Sequence, residues 1–269
     1  MPRYAMVIDL RTCLGCQACV AACTQENETP FWNNDFRTTV RELSWGNYPT
    51  LRKVFYSQLC MHCENPPCQE VCPTGATYRS EEGVVLIDYE KCAGCRACEI
   101  ACPYGARYFY DESEVRRGKD LYGSANQHSA PHVDKCNFCY PRLKRGDLPA
   151  CVATCPGESR IFGDLDDPQS PVSQILAREK TFHVEGTSIY YILEPDQPIL
   201  PIPRAALAPG SLRLWKKEQP LAKLLMGATA AASLVSLIST SFLEKGHAGP
   251  PEKPKGEAPP TEKDGAGKA

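Results

Sequence analysis

The sequence has almost no net charge: 30 Lys and Arg stand against 32 Asp and Glu, leaving −2. That balance gives no electrostatic case for nucleic acid as a partner. Met1–Leu10 (MPRYAMVIDL) is too short an apolar run for a signal peptide and leads straight into a cysteine group, so no signal peptide is expected. No twin-arginine pair stands near the start; Arg116–Arg117 lies deep in the chain. There is no G-x-G-x-x-G and no P-loop, and so no visible nucleotide or flavin site. C-x2-C-His is also missing, because Val20, Glu64, Glu99 and Tyr140 follow the cysteine pairs; covalent haem is excluded. No nucleophile and base stand out together, so no catalytic substrate site is expected.

What the chain does have is cysteine, sixteen in all, in four groups of four with none left over. The groups are Cys13, Cys16, Cys19, Cys23; Cys60, Cys63, Cys68, Cys72; Cys92, Cys95, Cys98, Cys102; and Cys136, Cys139, Cys151, Cys155. At about 6% of residues this is below the roughly 8–10% of disulfide scaffolds. Thiols two and three residues apart are poorly placed for the strict geometry of an S–S bond. A [4Fe–4S] cube needs four thiolates, and C-x2-C-x2-C-x3-C-P is a known way to supply them. Structural zinc would call for two well-separated pairs rather than three cysteines in seven residues. The reading is four [4Fe–4S] clusters and electron transfer, with a zinc-stabilised scaffold as the alternative. His62, inside Cys60-Met61-His62-Cys63, is read as a loop or supporting residue, since four thiolates already satisfy a cube.

The groups repeat. With Cys13 set on Cys92, Ile8-Asp9 falls on Ile87-Asp88, Gly15 on Gly94, and Ala18 on Ala97. Likewise Cys60-x2-Cys63 matches Cys136-x2-Cys139, and Cys68-x3-Cys72-Pro73 matches Cys151-x3-Cys155-Pro156. Two compact groups and two extended groups imply two similar units, each with one of each kind. Groups two and three are joined by a predicted strand, Glu-Glu-Gly turn and strand, the last near Val84–Asp88, as in a two-cluster bacterial ferredoxin. One unit is then residues 60–135, with an insert at 103–135 that reads as a polar, Tyr-rich loop. The other is residues 1–59 with 136–193, carrying an insert at 24–59.

The first insert predicts a hairpin, with strands near Arg37–Leu43 and Leu51–Leu59 around Gly46-Asn47. A helix is predicted over Pro168–Arg178 with Asp167 as its cap, and a strand over Ser188–Leu193. Residues 194–220 read as a Pro-rich linker. Leu224–Leu243 is 20 residues without a charge, about the length that crosses a hydrocarbon core, although six are Ser or Thr. A transmembrane helix is expected over 221–243, its uncharged run flanked by Lys217 and Lys223 before and Lys245 after. Residues 244–269 carry almost nothing apolar and are expected to be disordered.

From Tyr4 to about Leu193 the chain resembles the four-cluster subunits of the dimethyl sulfoxide reductase family, with the polysulfide/thiosulfate/tetrathionate reductase branch closest. The residues that carry the resemblance are YAMVIDLRTCLGCQACVAAC, CMHCENPPCQEVCPTGA, IDYEKCAGCRACEIACPYGAR, KCNFCYPRLKRGDLPACVATCP and RIFGDLDDP. It implies an α+β fold of two ferredoxin-like domains with loop inserts. It also implies ligand sets that spacing left open: Cys13, Cys16, Cys19 with Cys155; Cys136, Cys139, Cys151 with Cys23; Cys92, Cys95, Cys98 with Cys72; and Cys60, Cys63, Cys68 with Cys102. The implied role is to wire a molybdopterin catalytic subunit to an integral membrane quinone- or quinol-reacting subunit. The tail helix departs from the short polysulfide-reductase type and is similar to that of membrane-anchored formate dehydrogenase and hydrogenase subunits. The implied place is the cytoplasmic membrane of a prokaryote, with the cluster domains on the extracytoplasmic face by co-export with a partner, or else on the cytoplasmic face. A soluble polyferredoxin-type carrier is the alternative.

Overall fold

Strand β1 (Tyr4–Asp9) carries four consecutive residues, Ala5 to Ile8, that are completely buried, the mark of a strand covered on both faces. It lies at the centre of a four-stranded sheet. Antiparallel β8 (Arg160–Asp164) flanks one side, parallel β10 (Ile189–Ile192) the other, and β9 (Phe182–His183) forms the edge beyond β10. Alternation divides the apolar residues of β1 between two layers. Ala5 and Val7 meet Val172 and Ile175 of helix α7 (Pro171–Arg178), whereas Met6 and Ile8 enter the main core with Leu59, Phe138, Phe162 and Tyr191.

The computed structural model describes residues 1–32, 35–123, 130–198 and 200–202, all within one compact unit, Met1–Gln219. The linker beyond residue 202, the helix expected over 221–243 and the tail 244–269 lie outside the described residues. Among the described residues no helix is long and apolar enough to cross a membrane.

Hairpin β2 (Thr38–Trp45) and β3 (Arg52–Leu59) forms where alternation and the Gly46-Asn47 turn place it, with Thr38 opposite Leu59 and Trp45 opposite Arg52. Two short hairpins follow: β4 (Thr77–Arg79) with β5 (Val85–Ile87), and β6 (Tyr108–Tyr110) with β7 (His132–Asp134). The single helical turns α2 (Pro67–Glu70), α3 (Ala97–Ile100), α5 (Tyr140–Leu143) and α6 (Ala150–Ala153), with the longer α1 (Ala18–Asn27), carry or adjoin cysteines.

Two expectations need correction. The insert at 103–135 is not all loop, because α4 (Glu112–Tyr122) runs through it. Its start is a full capping box: Asp111 accepts from the Ser113 and Glu114 amides, and the Glu114 carboxylate accepts from the Asp111 amide. Its half-buried face, Glu114, Val115, Gly118 and Tyr122, holds a single aliphatic side chain, so the segment reads as polar in sequence. Helix α7 begins three residues later than expected, with Ser170 at the cap position. Asp167 serves a turn instead, where its carboxylate accepts from the Gln169 amide.

The repeat read in the sequence has a structural counterpart. Gly15 and Gly94 share a left-handed φ (66° and 64°), as do Gln17 and Arg96 (63° and 59°), and α1 and α3 start at the matched Ala18 and Ala97. His62 and Phe138, matched within the extended groups, both take positive φ and stack on each other, 3.7 Å between centroids and 19° between planes. Both are fully buried, and Phe162 packs edge-on against Phe138 at 5.2 Å. The stack closes the seam between the two sets of cysteine loops. Around it, Lys135 donates to the carbonyls of Val85 and Cys136, and Glu82 accepts from Lys144 (2.6 Å) and Tyr140.

Candidate metal centres

Pairing of β1 with β8 sets Ile8 opposite Arg160, so Cys155, five residues before Arg160, returns beside Cys13, five residues after Ile8. The matched hairpin sets Thr77 opposite Ile87 and brings Cys72 beside Cys92 in the same way. The outcome is a cavity lined by Cys13, Cys16, Cys19 and Cys155 (cage I) and another lined by Cys72, Cys92, Cys95 and Cys98 (cage IV). A third cavity is lined by Cys23, Cys136, Cys139 and Cys151 (cage II). Cys60, Cys63, Cys68 and Cys102 (cage III) are near neighbours: burial first, then the other three thiols, push Cys63 up to about 12. All sixteen cysteines are free thiols. They ring open space rather than meet at a point; among the described residues no three His, Cys, Asp or Glu side chains close around a single ion. Four thiolates about a cavity are the donor set of a cube.

Burial also raises Cys19, Cys23, Cys68, Cys98, Cys102 and Cys151, and takes Cys136 up to about 12. Thiols held this high give up their protons to a metal rather than to water at neutral pH. Cys72 and Cys155 behave differently. Burial is again the largest single influence, but hydrogen bonds together outweigh it and lower both: the Thr77 amide (3.5 Å) leads those at Cys72, with Thr74 and Ala76, and the Ser159 hydroxyl (3.2 Å) those at Cys155, with the Ser159, Arg160 and Gly157 amides.

Electrostatic neighbours order the cages. Arg160 acts on Cys151 and Cys19, so cages I and II adjoin, and Arg107 acts on Cys68 and Cys98, so III and IV adjoin. Cys60 acts on Cys136, so II adjoins III. The cages therefore adjoin in the order I–II–III–IV. Its ends differ from its middle, because the two exposed cysteines are Cys16 in cage I and Cys95 in cage IV. Exposed apolar side chains accompany both end cages: Leu14, 65% exposed, lines cage I with Cys16, and Ile100, 87% exposed, ends α3, which carries Cys98 of cage IV.

Sequence reasoning missed the polar residues around the cages. The Asn27 amide donates towards Cys23 (3.6 Å) and Cys139 (3.8 Å) of cage II and is held by Arg37 (2.7 Å). Arg37 is paired with Asp134 at 2.7 Å, and Asp134 also accepts from Tyr89 at 2.6 Å, all in the interior. Only the arginines had a visible signal, one falling five residues after Cys102 and one five after Cys155.

Known proteins share these motifs. The 4Fe-4S dicluster domain model matches residues 51–120 and 122–165, and the 4Fe-4S binding domain model matches residues 11–27. A candidate iron–sulfur subunit of a dimethyl sulfoxide reductase from Halobacterium salinarum is 43% identical over 217 residues, 74% of this chain and 83% of that protein. The chain belongs to the iron–sulfur subunits of the dimethyl sulfoxide reductase family. A tetrathionate reductase subunit of Salmonella typhimurium is 42% identical over 66% of this chain and 64% of its own length. For a selenate reductase subunit of Mesobacillus selenatarsenatis the figures are 39%, 71% and 72%. As a member of this family the chain is an electron-transfer subunit that binds [4Fe–4S] clusters.

Proposed function

We propose that the chain holds four [4Fe–4S] clusters, one in each cage, and passes electrons along I–II–III–IV between a molybdopterin catalytic subunit and a membrane quinone- or quinol-reacting subunit. The observation that carries this reading is the order in which the cages adjoin, with exposed thiols only in the first and the last. When bound, such clusters supply one-electron transfer over a wide span of potential. The protein's part is to hold sixteen thiolates, bury all four thiols of cage II, and present the end cages to partners. Leu14 and Ile100 suit the apolar centre of such contacts. Its relatives are subunits of multi-subunit reductases, which supports a molybdopterin partner. The uncharged stretch over 224–243 supports anchoring in the cytoplasmic membrane, with the cluster domains outside by co-export.

Anaerobic metal analysis tests the clusters. About sixteen iron and sixteen sulfide per chain are expected, and about four zinc would refute the reading. Cys95→Ser should remove or convert the cage IV cluster alone and cut turnover of the whole complex. Wild-type EPR spectra and quinol-linked activity in that variant would refute the assignment. Protease accessibility in spheroplasts tests the side of the membrane.

A further inference from the structure

Arg107 and Arg160 are 4% and 3% exposed, and neither has a carboxylate partner among the described residues. Each stands five residues beyond the last cysteine of its own pair of cages, Cys102 and Cys155. Each is moored by hydroxyls. Arg107 donates through Nη1 to Thr77 Oγ1 (3.2 Å), and Arg160 through Nη2 to Ser57 Oγ (2.6 Å) and Thr38 Oγ1 (3.0 Å). Each also keeps one buried nitrogen without an acceptor among the described residues, Nη2 of Arg107 and Nη1 of Arg160. Arg107 lines the cavity of cage IV and Arg160 that of cage I. A buried guanidinium without a counter-ion is costly, so a nearby anion must offset it. The thiolate cages are the anions in reach: Cys68 and Cys98 lie within the influence of Arg107, and Cys151 and Cys19 within that of Arg160.

We propose that Arg107 and Arg160 are positioning residues that set cluster potentials two at a time, each guanidinium standing between the two cages of its half and serving both. This rests on the cluster assignment above. A cube with four thiolates is an anion, and taking up one electron adds one negative charge. A fixed cation between two such anions favours the reduced form of both. It also screens the repulsion that a second electron in the same half would meet. Arg107 thus governs cages III and IV, and Arg160 governs cages I and II. The wire is tuned in halves rather than cube by cube.

The test uses the full chain purified anaerobically with its partner subunits, as wild type, Arg107→Met and Arg160→Met. Iron and sulfide are counted first, and the four midpoint potentials are then read by EPR-monitored redox titration. In Arg107→Met two potentials should fall while two stay, and in Arg160→Met the complementary two should fall. Arg107→Lys and Arg160→Lys should return the same pairs towards wild type, because they restore the charge. Four clusters with unmoved potentials, a shift confined to one cluster, or a shift of all four would overturn the proposal while leaving the cluster assignment standing. A wild-type chain without four clusters would overturn both. If a Met variant assembles without a cluster, the neutral, hydrogen-bonding Arg107→Gln or Arg160→Gln takes its place: the same two potentials fall if the proposal holds, and stay fixed if it fails.

Discussion

Truncating Phe138 to alanine tests the seam between the cage pairs. The ring is 1% exposed, lies 3.7 Å from the His62 ring and meets Phe162 edge-on at 5.2 Å. Burying a phenylalanine and then deleting it costs about 3–5 kcal/mol, from lost transfer energy and the cavity left behind. About 0.5–1.5 kcal/mol of ring–ring preference is lost at each aromatic neighbour as part of that total. The backbone at residue 138 sits at φ 54°, and His62 must hold its place to accept the Val85 amide at 3.1 Å, so the site has little freedom to collapse. For a described unit of this size each kcal/mol lowers the midpoint by about 2–4 °C, so Phe138→Ala should melt about 6–20 °C below wild type. The assay is loss of cluster absorbance in an anaerobic thermal scan at a fixed rate, with iron content matched beforehand. Phe138→Leu, which keeps most of the volume, should fall between the two. A Phe138→Ala midpoint within about 2 °C of wild type would refute the view that this stack closes the seam.

Asp134→Asn should destabilise by about 3–5 kcal/mol, because it leaves Arg37 buried without its counter-charge, and chelator-driven loss of iron should quicken accordingly. Gly15→Ala should cost the cage I cluster, seen as lost iron: a Cβ there would sit 2.6 Å from the Phe55 ring, at a φ of +66° that costs about 1–2 kcal/mol for other residues. Adding Phe55→Ala should relieve the clash but not the torsional cost. Hydrogen bonding from Lys144, opposed by burial and joined by Tyr140, takes Glu82 from 4.5 down to about 2. A carboxylate lowered on folding stabilises the fold above its unfolded value and loses that contribution as pH falls, here between about 4.5 and about 2. Glu82→Gln should therefore flatten acid unfolding in that window.

The sequence by itself determined what is local. Cysteine spacing identified the cofactor class, because three thiols of a cube sit on one tight loop. The Ile-Asp lead-in and the matched glycines exposed the repeat, and alternation with a turn placed β2 and β3. Helix α4 escaped, because none of its residues is fully buried and its composition is polar, so the segment reads as loop. The tertiary structure decided which distant groups meet. The crossing of Cys155 to cage I follows from the pairing of Ile8 with Arg160, a sheet register rather than a motif. The order of the cages, the His62–Phe138 stack and the two buried arginines that have no carboxylate partner among the described residues depend on long-range packing. Such contacts join residues far apart in the chain, and their energies come from burial and charge in the interior, which no short window of sequence contains.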